Sequence, residues 1–180
     1  MKGIIFVELV EFVEEALGPE IADRVVSLPE LSSGGVFTSV GTYPTEDAFA
    51  MVGKLVKETG LSARDLLLSF GKHLFGQLAA AHPEFIKDFK RPEDLLLKLE
   101  EHIHVDVKKL YPDADLPTFK YEDGDAGEVV MVYRSNKGLA DVCEGLLHGC
   151  YAYYGMAAQV SREDLPGGAG TAARFSVRAG

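Results

Sequence analysis

The residues of this 180-residue chain best suited to holding a metal are five histidines, His73, His82, His102, His104 and His148, and two cysteines, Cys143 and Cys150. No H-x-x-x-H or H-E-x-x-H pair occurs, so a zinc hydrolase has no support. His102 and His104 fall in one helical segment, but two residues apart they point in directions roughly 200° apart, and a regular helix can offer only one of them to an ion. Periodicity does not choose between them. Leu95, Leu99, Ile103, Val107 and Leu110 mark an apolar face that both flank, His102 more closely, while His104 sits beside Leu97. A histidine at such a boundary is also an ordinary packing residue. Tyr133, Ser135 and Lys137 alternate, so in an extended chain they share one face. Two hydroxyl donors and a cation suit one or two carboxylates, although strand-end polarity explains the same pattern.

Other chemistries lack their motifs. There is no G-x-S-x-G, no Walker loop, no G-x-G-x-x-G and no C-x-x-C. Gly167-Gly168-Ala169-Gly170 lies between two short strand-like runs and reads as a hairpin loop.

The first half of the chain must position these groups with helices. Ile4, Ile5, Leu9, Phe12, Val13, Ala16 and Leu17 recur at helical spacing before Gly18, and Pro19 suits the start of a segment reaching about Leu28. Further helices are predicted from Thr45 to Gly60 and from Ser62 to Ala81, the latter opened by Ser62 and Asp65 as a capping box. A short helix is bracketed by Pro83 and Pro92, and a long one is expected to run unbroken from Pro92 to Leu110. Strands follow at Thr118–Tyr121 and Glu128–Arg134, joined through Asp123-Gly124-Asp125. A helix from Gly138 to Gly155 and a closing hairpin of Ala157–Val160 with Ala173–Arg178 complete the chain. Helices followed by antiparallel strands with one or two helices indicate an α+β fold. One domain over residues 1–180 is expected, with a helical part over 1–60 and a helix-and-strand part over 61–180.

Composition narrows the function. The chain is 47% hydrophobic, and 28 acidic against 18 basic residues leave a formal charge of −10, which opposes nucleic-acid and anionic-membrane partners. No apolar run approaches the roughly 18 residues of a membrane span, and Glu8, Glu11, Glu14 and Glu15 interrupt what otherwise begins like a leader. Seven residues apart on a helix, Cys143 and Cys150 have Cα atoms roughly 10 Å apart, too far for a disulfide. A reduced, cytoplasmic setting is the expectation.

One stretch ties these features together. Met1-Lys2-Gly3-Ile4-Ile5, Phe70-Gly71 and, above all, the run from His104 through Tyr111-Pro112 to Pro117 resemble the heme-nitric oxide/oxygen-binding (H-NOX) family, bacterial relatives of the soluble guanylate cyclase sensor domain. The resemblance covers essentially the whole chain. The family's proximal heme ligand stands eight residues before the Tyr-Pro proline and thirteen before a heme-contacting proline. This implies His104 as the iron ligand and Pro117 against the porphyrin. The family's Y-x-S-x-R propionate motif reads here Tyr133, Ser135 and Lys137, with lysine in place of arginine, which keeps the charge but loses the planar fork.

The resemblance implies a heme b cofactor held between the helical part and the sheet, with walls from Ile5, Leu9, Leu74, Val142 and Leu146. Val142 stands where oxygen-binding relatives carry a distal tyrosine. The expectation is a non-enzymatic sensor that binds NO and CO, excludes oxygen, and signals through release of His104 to a separate protein, such as a histidine kinase or a cyclic-di-GMP enzyme. Of the zinc ligands some relatives carry, only Cys143 persists. Arg162, Leu165 and Ala173 occupy the other positions, so zinc is not expected. The competing readings are a heme enzyme, a peroxidase or NO-detoxifying protein using His73, and a heme-free interaction module on the same fold.

Overall fold

The computed structural model describes residues 1–180. Helix α1 spans Gly3–Leu17 and buries Phe6, Leu9 and Val13. Gly18 ends it, and Pro19 opens α2, Pro19–Val26. Helix α3, Thr45–Thr59, buries Ala48, Met51, Val52 and Leu55, and stops where Gly60 turns left-handed at φ 73°. Helix α4, Ala63–Ala81, is capped by Ser62, whose Oγ accepts the Asp65 N–H at 3.1 Å.

The expected unbroken helix from Pro92 to Leu110 is three pieces. Helix α5 covers Pro92–Leu96, a π-helical stretch covers Leu99–Ile103, and α6 covers His104–Leu110. The His104 N–H reaches back five residues to the Leu99 carbonyl. The physical reason lies in the next strand. Tyr121 Oη donates to the Leu96 carbonyl at 2.6 Å, and the Phe119 N–H donates to Glu100 at 2.9 Å. The Leu96 carbonyl thus serves a tyrosine hydroxyl, and the segment accommodates the change with one wide turn.

Strands β1 (Thr118–Glu122), β2 (Glu128–Arg134), β3 (Ala158–Asp164) and β4 (Ala172–Ala179) form one antiparallel sheet in the order β1-β2-β4-β3. Tyr133 faces Phe119 on one side and Ala173 on the other. The closing hairpin β3–β4 forms as expected. Helix α7, Ala140–Tyr153, packs on the sheet and against α4. A Cβ on Gly71 would lie 2.3 Å from the Val142 carbonyl oxygen, and one on Gly145 would lie 2.2 Å from that of Leu68, so α4 and α7 meet backbone to backbone.

The fold is α+β. It holds two cores. One, around Phe6, Met51, Leu55 and Phe70, packs α1–α3 against α4. The other, around Met131, Phe175, Cys150 and Tyr151, packs α7 against the sheet. Both contribute to α4 and α7, where they meet.

Candidate functional site

A cavity of about 360 Å³ is lined from both cores and almost wholly by hydrophobic side chains. His104, Pro117, Tyr133, Ser135, Lys137, Ile5, Leu9, Leu74, Val142 and Leu146 all line it. Residues from α1, α4, α6, β2 and α7 thus converge on one space.

His104 stands at the first position of α6, with its side chain 16% exposed and its ring 5.8 Å from that of Phe119. Its Nδ1 lies 3.0 Å from Glu100 Oε1. Burial holds its pKa below the ordinary imidazole value, against the opposing pull of the Glu100 carboxylate. The ring is therefore neutral near pH 7 and has a lone pair to offer. His102 is exposed and lies outside the cavity, so the structure separates the two histidines that periodicity leaves equivalent.

The polar rim is built differently from the expected alternation. Strand β2 stops at Arg134, and the chain turns, with Ser135 Oγ accepting the Lys137 N–H at 3.2 Å. The turn, rather than an extended strand, brings Lys137 to the cavity. Lys137 Nζ donates to the Asp115 carbonyl at 2.7 Å and pairs with the Asp115 carboxylate. Tyr133 is 2% exposed, and burial raises its pKa, so its hydroxyl keeps its proton.

Three residues at or beside the site, Lys2, Asp115 and Glu100, escape the sequence reading, and a fourth, His82, is singled out there only as one of five histidines. Lys2 and Asp115 line the cavity at its charged rim, with Lys2 Nζ 3.2 Å from both Asp113 carboxylate oxygens. His82 lines it as well, its ring stacked on Phe85 at 5.1 Å. Glu100 stands behind His104. Of these, only the i,i+4 spacing of Glu100 and His104 is a visible signal in the sequence. His73 does not line the cavity; it lies between Glu8 and Glu15 of α1, at 3.7 Å from each.

The Haem-NO-binding family matches residues 2–162. The chain belongs to this family. Among solved structures, the unliganded Fe(II) H-NOX protein of K. algicida is 34% identical with a TM-score of 0.92, covering 100% of this chain and 97% of that one. The IWP-051-bound H-NOX of Shewanella woodyi in its Fe(II)CO state is 35% identical with a TM-score of 0.82, covering 100% and 95%. The H-NOX of S. oneidensis in the Fe(II)NO state, 24% identical with a TM-score of 0.89 over 100% and 99% of the two chains, shares the fold. No curated protein matches the sequence.

Within this H-NOX chain, an ion cluster forms around Arg162. Arg162 pairs with Asp141, Glu144 and Asp164, and Arg64 joins Asp141 and Glu144 at 2.8 Å each. Cys143 and Cys150 are free and buried. Burial raises the Cys143 thiol and pushes Cys150 up to about 12, so both stay protonated. No helix is long and apolar enough to cross a membrane.

Proposed function

We propose that the cavity holds heme b and that the chain is a gas sensor. The observation carrying this reading is the joint lining of one apolar cavity by a neutral, carboxylate-backed His104 and the rim group of Tyr133, Ser135 and Lys137. The fit is chemical. An apolar disc with two carboxylate tails needs apolar walls, one axial base and donors at the mouth, and a volume of about 360 Å³ falls in the range of roughly 300–1,000 Å³ typical of small-molecule sites. Bound there, heme iron supplies the coordination site for a diatomic gas.

His104 is the ligand and the trigger. With its ring held by the heme iron, the start of α6 would be held too; release of the ring would free α6 and let the distal part, residues 1–60, relax against the strand-bearing part, residues 61–180. Tyr133, Ser135 and Lys137 bind the propionates, and Pro117 packs on the porphyrin face. Ile5, Leu9, Leu74, Val142 and Leu146 surround the gas with side chains that donate no hydrogen bond. Such a wall does nothing for a polarised oxygen ligand and leaves NO and CO unpenalised. The effector is a separate protein, a histidine kinase or a cyclic-di-GMP enzyme, engaged through the acidic surface of the −10 chain. A catalytic role would need a distal acid–base group, and His73, the residue best placed in sequence, packs against α1 instead.

The test is spectroscopic. Anaerobic ferrous protein is expected to show a five-coordinate spectrum and, with NO, the Soret band of a five-coordinate complex. In air it should show no stable oxygen complex. His104→Gly should retain ferrous heme only when imidazole is supplied. Failure of the purified protein to take up heme would overturn the reading, and a long-lived oxygen spectrum would overturn the selectivity.

A further inference from the structure

We propose that Glu100 is the positioning residue of His104, and that its carboxylate sets how firmly the histidine is held and so how readily it is released. This rests on the heme reading above. One oxygen, Glu100 Oε1, lies 3.0 Å from His104 Nδ1 and accepts the backbone N–H of Phe119 at 2.9 Å. The first contact fixes the ring. An imidazole that donates from Nδ1 to a carboxylate is committed to one tautomer, with Nε2 left as the binding nitrogen.

The second contact fixes the carboxylate. Glu100 lies within the π-helical stretch Leu99–Ile103, which strand β1 clasps through Phe119 N–H, while Tyr121 Oη holds the Leu96 carbonyl at the end of α5 just before it at 2.6 Å. The acceptor behind the histidine is therefore anchored to the sheet by backbone. An anionic acceptor also makes imidazole a stronger donor to a metal, because it stabilises positive charge developing on the ring. A neutral acceptor would hold the ring in the same place with a weaker bond. Glu100 thus does two separable things, orienting the ring and raising its donor strength, and the second is absent from any purely structural clasp of β1.

The experiment compares the full-length ferrous protein with its Glu100→Gln and Glu100→Leu variants. Glu100→Gln keeps an oxygen that can accept both hydrogen bonds and removes the charge. By resonance Raman, the iron–histidine stretching band should move to lower frequency in Glu100→Gln and further in Glu100→Leu. By stopped flow, loss of the histidine after NO addition should be about tenfold faster in Glu100→Gln, the lower end of the effect of mutating a partner behind a ligating histidine, because the hydrogen bond is kept and only the charge is lost. An unchanged band and an unchanged rate in Glu100→Gln would overturn the role, even if thermal stability fell, because that result describes a structural clasp alone. Absence of the band from the unsubstituted protein would instead overturn the heme reading itself, and this role with it.

Discussion

Glu8 faces the interface between α1 and α4 with its residue only 8% exposed, and its Oε2 finds no hydrogen-bond partner. His73 lies 3.7 Å away, its own Nε2 equally unpartnered. Burial raises the Glu8 pKa, reinforced by Glu11 and Glu15 and opposed by His73. A carboxyl whose pKa is higher folded than unfolded favours the folded state while protonated in both, and loses that contribution as pH rises through the folded value. The charged form at pH 7 is therefore a cost. Glu8→Gln should stabilise the protein by about 1 kcal/mol at pH 7, with the gain shrinking as pH falls through the raised folded value and gone once pH is below the ordinary carboxylate range. Urea titrations of both proteins at pH 7 and pH 4 measure it, and an equal gain at the two pH values would refute the assignment. Glu8 precedes Leu9 and His73 precedes Leu74, so this pair sits directly behind two cavity walls without entering the cavity.

At the scale of elements, α4 and α7 are in contact through backbone. Their separation leaves no room for a side chain at Gly145, so Gly145→Ala must part the two helices. Overpacking of this kind costs roughly 1–3 kcal/mol, and it also moves Leu74 and Val142, which line the cavity from those same helices. The expected outcome is a lower thermal midpoint together with a shifted CO stretching band in the ferrous protein, the second marking the displaced wall.

How these elements were legible follows from where their causes lie. Helices α3 and α4 announce themselves because their causes are local: Ser62 with Asp65 at one start and Gly60 at one end. The break at Leu99–Ile103 is invisible, because Leu95, Leu99, Ile103 and Val107 continue one helical repeat across it, and the groups that open it, Phe119 and Tyr121, come some twenty residues later. The site divides in the same way. Tyr133, Ser135 and Lys137 can all be picked out by their types and spacing, but alternation does not foresee the turn after Arg134 by which Lys137 arrives. Lys2 owes its place to Asp113, 111 residues away, and nothing local marks it. Between His102 and His104 the residues alone leave a tie, which the family spacing breaks, and the fold puts His104 on the cavity and His102 outside it.

For the molecule as a whole, the cavity lies where the two cores meet, so neither core is complete while it stands empty. An unfilled apolar cavity costs roughly 24 cal/mol per Å³, and about 360 Å³ corresponds to about 9 kcal/mol if nothing collapses into it. That is comparable with the whole stability of an ordinary domain, about 5–15 kcal/mol. Cofactor removal should therefore lower the thermal midpoint by more than about 10 °C, since each kcal/mol moves a chain of this size by roughly 2–4 °C. Calorimetry of the protein before and after heme extraction measures it, and coincident midpoints would refute it.

The same hollow has a meaning for the chain inside a cell. Newly made protein without its cofactor spends more of its time open, and cellular proteases act on the open fraction. The lifetime of the chain, and hence its abundance, is then governed by how promptly porphyrin is delivered to it. A gas signal can be read only by copies that have already passed this inspection.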